Sequence, residues 1–290
     1  MEIKHTTVLK EEAVDGLKVR DDGIYIDATF GLGGHSTEIL SRAKNVKVIG
    51  IEVDKEIYKY AKNNFSHNKN ISLYNSNFID VGDVVVSHRL AKVDGVIFDC
   101  GTNVYQIKDS GRGFSFLKNE RLDMRLDQDG DLTAEMIVNS YPKEELERIF
   151  KNVDERFSRP IAKRITEERK KQRIETTEQL VNIVRSVKRQ TGKTNPATLV
   201  FMALRIEVNN ELENLEKGIE ECLKVVKSGG RVVVISFHSG EDRIVKRLFK
   251  EKEKAGAIKI INKKVIIPER DELLKNPLSR SAKMRIVEVV

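Results

Sequence analysis

The sequence predicts an α/β protein, a Rossmann-like parallel sheet interrupted by an inserted block of helices, and three observations predict it. A β-branched run, Gly23-Ile-Tyr-Ile, feeds directly into the glycine-rich segment Asp27-Ala-Thr-Phe-Gly-Leu-Gly-Gly-His-Ser36, the layout of a strand turning into a helix over a ligand. Strand and helix patterns then alternate as far as Asp99, the order that builds a parallel sheet. Beyond it come long charged segments of helical periodicity without a strand, until an apolar strand returns at Arg231–His238.

Each element has a local reason. The first strand, 23–27, is the β-branched and aromatic run itself, and the following glycines release the backbone into a helix over 34–43. Val46-Lys-Val-Ile-Gly-Ile gives a strand over 46–51, followed by a helix over 54–64 and strands at 71–74 and 93–99. Helices are expected over 134–139, 144–152, 157–171 and 177–188. A helix over 196–227, the turn Ser228-Gly-Gly and the strand 231–238 restore the α/β pattern. The chain therefore reads as a core in two parts, 1–106 and 196–290, around an inserted helical domain, 107–195. The insert leaves from a strand's carboxyl end at Asp99, where open α/β sheets bind ligands, so it would hang over such a ligand. An insert of this kind serves equally as a dimerisation element, and the sequence leaves both readings, a homodimer included, open.

The segment 27–36 suits a nucleotide. Free N–H groups at the start of the helix hold polar or anionic groups. Glu52 stands at the end of the second strand, 21 residues after Gly31, placed to accept hydrogen bonds from a ribose diol. A dinucleotide fingerprint would need a third glycine where this chain has Ser36. S-adenosylmethionine (AdoMet) asks for less, because it has no pyrophosphate, and Asp27 at the end of the first strand suits its ammonium group. A glycine-rich turn without a ligand is the competing reading. Gly192-Lys193-Thr194 imitates the end of a phosphate-binding loop, but no strand precedes it, and it is read as a surface turn.

Composition narrows the class. The chain has 290 residues, and no run of about 20 apolar residues spans a bilayer. The start of the chain is polar rather than signal-like, so a cytoplasmic enzyme is expected. Cys100 and Cys222 are far apart and outside metal-ligand spacing, which supports neither a disulfide framework nor a metal site. The net charge of +7 points towards a polyanion. Eight basic residues cluster at Arg156, Arg159, Lys163, Arg164, Arg169, Lys170, Lys171 and Arg173, against Glu167 and Glu168. A second cluster, Lys275, Arg280, Lys283 and Arg285, has no acid within it. Each alone also reads as a solvated face.

Matched segments run nearly end to end. They are His5-Thr-Thr-Val-Leu, Asp27–Ser36, Val93-Asp-Gly-Val-Ile-Phe-Asp99, Arg112-Gly-Phe-Ser-Phe116, Leu122-Asp-Met-Arg125, Pro196-Ala-Thr198, Ala203–Asn209, Val234–Ser239 with Glu241-Asp-Arg243, and Asn276-Pro with Ser279–Arg285. In these the chain resembles the bacterial ribosomal RNA small subunit methyltransferase H (MraW-like) family. The resemblance implies a class I AdoMet-dependent methyltransferase sheet with an inserted α-helical substrate-recognition domain. It implies AdoMet as cofactor and 16S rRNA within the small ribosomal subunit as partner. The reaction implied is methylation of the exocyclic N4 of a cytosine (1402) in the decoding region.

Carried over by position, the resemblance implies cofactor contacts at Gly33, Gly34, His35, Glu52, Phe78, Asp99 and Gln106. The family usually has Asp at Glu52. An aromatic amine is a poor nucleophile, and Asp99 is expected to accept its hydrogen bond and expose the nitrogen lone pair. The other reading of Asp99 is a loop-start cap for backbone N–H groups. His238 would orient the base or relay a proton, or is a hydrogen-bonded strand-end histidine. Arg112 and Arg125 read as phosphate-binding or as structural arginines.

The departures from the pattern cluster. Where the family reads Asp-Leu-Gly-Val-Ser-Ser-Pro-Gln, this chain reads Asp99-Cys-Gly-Thr-Asn-Val-Tyr-Gln106, with Asn103 standing to replace a hydroxyl as amine acceptor. Leu199, Met202, Gly240 and Leu278 replace Arg, Gln, Leu and Arg. Two alternatives therefore stand beside the main reading: a diverged paralogue acting on another nucleic acid or a small-molecule amine, and a non-catalytic RNA-binding assembly factor. Asp27, Glu52 and Asp99 argue against the second.

Overall fold

The computed structural model describes residues 6–190 and 195–290; His5 and the Gly192-Lys193-Thr194 turn lie outside the described residues. The chain forms two compact units, one of residues Thr102–Glu211 and one joining the residues up to Gly101 to Leu212–Val290.

The second unit is the α/β core. It opens with α1 (Lys10–Leu17), β1 (Ile24–Asp27), α2 (Gly34–Arg42), β2 (Lys47–Ile51), α3 (Lys55–Phe65) and β3 (Ile71–Tyr74). A 3-10 turn at Phe78–Asp80, α4 (Val81–Ser87) and β4 (Val93–Asp99) follow. The helical unit then supplies α5 (Val104–Lys108), α6 (Ala134–Ser140), α7 (Lys143–Asn152), α8 (Ser158–Glu168), α9 (Thr177–Val187) and α10 (Thr198–Val208). The chain ends with α11 (Glu211–Val225), β5 (Val226–Ser236), α12 (Ser239–Lys254), β6 (Ile258–Ile260), α13 (Arg270–Lys275) and β7 (Lys283–Val289).

The seven strands lie in the order β3-β2-β1-β4-β5-β7-β6, parallel from β3 to β5, with β7 antiparallel to both neighbours. This is the Rossmann-like α/β class expected. Alternate residues of the central strands serve opposite faces, as the two-residue strand period requires. Val96, Phe98, Val232 and Val234 join a cluster with apolar residues of α4, α11 and α12. Ile97, Val233 and Ile235 join another with α1, α2 and β7. A sheet covered on both sides explains why its strands read as continuous apolar runs. Strand order reverses between β1 and β4, so the carboxyl ends of these two strands form the switch point where such sheets hold ligands.

Three expectations change. The helix expected over 196–227 is two, α10 and α11, because Asn210 takes a left-handed conformation (φ 48°) that Asn tolerates better than most residues. Residues 196–211 consequently group with the helical unit and not with the returning core. Ser228-Gly-Gly is no free turn but an irregularity inside β5, where pairing jumps from Val93–Val226 to Gly95–Arg231. Gly230 is required there, since a Cβ would come within 2.7 Å of the Asp94 carbonyl oxygen. Cys222 is fully buried and Cys100 packs at the edge of the same cluster. Among the described residues, no helix is long and apolar enough to cross a membrane.

In the helical unit, α6 to α10 bury Ile137, Leu146, Phe150, Ile161, Ile165, Leu180, Val184 and Leu204. Residues 109–133 contain no helix, and side chains supply the hydrogen bonds that regular structure would have made. Asn209 accepts from the Leu126 N–H and donates to the Met124 carbonyl, both within 2.8 Å.

Candidate functional site

The turn after β1 is tied to the end of β2 by backbone. Phe30 N–H donates to the Ile51 carbonyl and Gly31 N–H to a carboxylate oxygen of Glu52, each at 2.9 Å. Gly31 and Gly33 have φ of 53° and 78°, which favour glycine. A Cβ on Gly33 would meet the Phe65 ring at 2.5 Å, and one on Gly34 would collide with the Thr7 hydroxyl. Backbone alone therefore forms this wall at Gly33 and Gly34.

Glu52 is 8 % exposed and spends both carboxylate oxygens on backbone: Oε2 on Gly31 and Oε1 on the Asp54 N–H at 2.8 Å. Burial pushes its carboxyl up to about 7, against the pull of the Asp54 N–H. Each oxygen keeps a second lone pair for a ligand hydroxyl.

Asp27, expected to face an ammonium, is turned inward. Its Oδ2 accepts the Ser36 hydroxyl at 2.7 Å, it is 1 % exposed, and burial raises it to about 6. Ser36, notable in the sequence only as an absent glycine, is thus the pin between the end of β1 and the first turn of α2. Thr29 is the second residue that sequence reasoning missed: its hydroxyl oxygen accepts the Asp99 N–H at 2.7 Å, locking β4 to the turn after β1. Both lie inside the glycine-rich motif, so their place in it was the available signal.

Asp99 ends β4 at the switch point. Its Oδ2 lies 3.8 Å from Nδ1 of His35, and its side chain retains 19 % exposure. Its Oδ1 is buried with no hydrogen-bond partner among the described residues, so Asp99 is not the backbone cap of the alternative reading. Burial first, then the charges of Asp27, Glu241 and Glu272, push its carboxyl up to about 8. His35 is 4 % exposed, with Nε2 3.1 Å from the Val8 carbonyl oxygen. Phe78 packs edge-on against Phe98, ring centroids 5.5 Å apart, and its ring lies so close to Gly218 of α11 that a Cβ there would come within 2.4 Å.

Two residues expected to be catalytic are helix caps in the structure. Asn103, proposed as an amine acceptor, caps α5: its Oδ1 accepts the Gln106 N–H at 3.0 Å, and the Gln106 Oε1 returns the bond to the Asn103 N–H at 3.0 Å. The same capping box occupies the carbonyl of Gln106, expected at the cofactor, which is 4 % exposed. His238 caps α12: its Nδ1 accepts from the N–H groups of Gly240 and Glu241 at 3.1 and 3.3 Å, and Nε2 lies 3.2 Å from Glu241 Oε1. Nδ1 is thereby committed to two helix N–H groups. The strand-end reading of His238 is the one its contacts match.

Within the helical unit, Arg125 forks onto Asp123 at 2.7–2.9 Å, and Arg112 donates to the Arg125 carbonyl at 2.8 Å while lying over the Phe114 ring. Both are structural arginines. Arg205 holds Glu211 with two bonds of 2.9 Å and donates to the Thr102 hydroxyl at 3.2 Å. In the first basic cluster, Arg169 donates to the carbonyls of Val138 and Tyr141, Arg164 and Lys171 pair with Glu168, and Lys163 pairs with Glu167. In the second, Arg285 and Lys283 share Asp242. Arg156, Arg159, Lys170, Lys275 and Arg280 are exposed.

The core residues suit AdoMet: an acid at the end of β2, a side-chain-free turn after β1, and an unpartnered oxygen at the end of β4.

Comparison with known proteins agrees. The model of the MraW methylase family matches residues 2–290. Ribosomal RNA small subunit methyltransferase H of Clostridium botulinum (strain Loch Maree / Type A3) is 43% identical over 305 residues, covering 99% of each chain. The protein of the same name from Neorickettsia sennetsu (strain ATCC VR-367 / Miyayama) is 44% identical over 294 residues, covering 100% of this chain and 97% of that one. The crystal structure of PH0851 superposes with a TM-score of 0.51 at 12% identity, covering 99% of this chain and 46% of that one, a likeness of fold alone.

Proposed function

The chain belongs to the MraW methylase family, and from that premise we propose that it is an AdoMet-dependent rRNA methyltransferase acting on the exocyclic N4 of a cytosine in the decoding region of 16S rRNA. The relatives named as ribosomal RNA small subunit methyltransferase H, aligned over essentially the whole chain, support the substrate. AdoMet supplies an electrophilic methyl group whose leaving group is a neutral thioether.

The observation that carries the chemistry is the buried Asp99 Oδ1 without a partner among the described residues. The lone pair of a cytosine amine is delocalised into its ring. A hydrogen bond from that amine to Asp99 Oδ1 favours the pyramidal nitrogen and exposes the lone pair, and in a water-poor pocket such a bond is strong. The amine sheds a proton after transfer, and a carboxyl held near 8 can accept it once ionised, at alkaline pH. Glu52, rigid through Gly31 and Asp54, fixes the ribose, and Thr29 fixes the backbone of Asp99. These residues supply alignment, which accounts for much of the acceleration in a displacement of this kind. The enzyme works in the cytoplasm, where ribosomal subunits are found.

The test is incubation with labelled AdoMet and small ribosomal subunits lacking the decoding-site mark, followed by nucleoside mass spectrometry. N4-methylcytidine at that site is the expected result. No incorporation, with AdoMet binding confirmed by calorimetry, would overturn the substrate and favour a diverged target, the reading that the altered loop Thr102 to Tyr105 motivates.

A further inference from the structure

Helix α12 carries a basic face that belongs to neither cluster of the sequence. Arg243, Lys246, Arg247 and Lys250 are spaced by three, one and three residues, so they share one side of the helix. Val245, Leu248 and Phe249 between them are buried in the core, which fixes that side outward. All four cations are exposed, and together with Glu251 they line a groove of about 400 Å³. Arg247 pairs with Glu216 at 2.7 Å and Glu251 at 3.5 Å. Arg243, Lys246 and Lys250 have no ion pair among the described residues.

The contrast with neighbouring charges is informative. Lys252, on another side of α12, is matched by Glu220, and Lys163 and Arg164 of α8 are matched by Glu167 and Glu168. Like charges three and four residues apart on a helix cost a few tenths of a kcal/mol each, and of the four cations only Arg247 is offset by carboxylates, Glu216 and Glu251. A concave wall of four cations is complementary to a polyanion. At about 1.5 Å rise per residue, Arg243 and Lys250 stand about 10 Å apart along the axis, long enough to follow successive phosphates of one strand. The lining offers no aromatic ring on which a base could stack. Such a surface reads charge and leaves sequence unread.

The geometry points to the α12 groove as a phosphate-backbone contact for RNA made by the core unit, an inference that rests on the RNA substrate proposed above. Its contribution is to hold and orient the nucleic acid, with base selection left to the active site.

The test compares the full-length protein with the triple variant Arg243→Glu, Lys246→Glu, Lys250→Glu, measuring binding to a fluorescent decoding-region RNA hairpin across salt concentrations. The variant should bind at least about tenfold more weakly, and the slope of log affinity against log salt should fall by about two. AdoMet affinity and unfolding temperature, unchanged, show that the fold is intact. Glu251→Lys supplies a gain: binding tightens about twofold to fivefold and the slope steepens. Unchanged RNA affinity and slope in both variants, with the wild type still methylating small subunits, would overturn the groove contact and leave the methyl-transfer reading standing. Shifted RNA binding with no methylation by the wild type would overturn the substrate reading and keep the groove. Lost binding to phosphatidylglycerol vesicles with RNA binding unchanged would overturn the proposal in favour of a membrane surface.

Discussion

At the end of β2, Glu52 gives one oxygen to the Gly31 N–H and the other to the Asp54 N–H; at the end of β4, on the other side of β1, Asp99 has one oxygen 3.8 Å from His35 and the other without a partner among the described residues. Both carboxyls are raised chiefly by burial, to about 7 and about 8. The protein compensates the first with backbone donors and leaves the second uncompensated, although a buried polar atom without a partner costs about 1–3 kcal/mol. Such a cost is tolerated where a ligand completes the bonding, which is why raised and unsatisfied carboxyls gather at functional sites. Glu52 is therefore held rigidly, and Asp99 keeps one oxygen open.

The largest expected effect breaks the Asp99 side of that contrast. Asp99→Ala should lower methyl transfer at least about a thousandfold while AdoMet affinity stays within about tenfold, read by single-turnover kinetics and calorimetry. Equal losses in both would make Asp99 a cofactor residue only. Glu52→Ala should do the reverse, weakening AdoMet by about a hundredfold and costing about 1–3 kcal/mol of stability, because two N–H groups lose their acceptor. AdoMet affinity that survives this change would restrict Glu52 to closing the turn.

A smaller effect comes with pH. Asp27, Glu52 and Asp99 have folded-state values above their unfolded ones, so the folded state holds more protons. The stability this confers is complete below about pH 4 and is lost as pH rises through about 6, 7 and 8. Denaturant unfolding of the ligand-free protein should show this decline, and Asp99→Asn should flatten its alkaline part, becoming more stable than wild type near pH 9. A parallel decline in the variant would mean that Asp99 titrates normally. His238→Ala should cost only a helix cap, about 1 kcal/mol, with transfer within about tenfold. A loss matching Asp99→Ala would restore the proton relay. Smallest of all, Asn103→Ser keeps a capping oxygen and should change neither stability beyond about 0.5 kcal/mol nor kinetics.

The core was legible in the sequence because β-branched runs and glycine turns act locally: β1, β2, β3 and β4 fall where periodicity puts them, and Glu52 and Asp99 stand at strand ends as expected. What periodicity missed is set by distant partners. The edge strand β6 pairs antiparallel with β7 across 27 to 31 residues of chain, and the break at Asn209-Asn210 depends on one left-handed residue. Side-chain roles were hardest to read. Asn103, Gln106 and His238 have the chemistry of catalysts, but each sits one helical turn from a cap partner, and the local bond prevails. Ser36 was visible only as a deviation from a motif, and its bond to Asp27 became apparent with the fold.

The most direct test is a carbon-13 NMR titration of the Asp99 carboxyl, assigned by loss of its signal in Asp99→Asn, in the ligand-free protein and again with AdoMet. A midpoint near 8 without ligand, falling when AdoMet binds, is the expected result, since a cation nearby favours the carboxylate. A midpoint in the ordinary range near 4, indifferent to AdoMet, would contradict a buried, open acceptor at the end of β4.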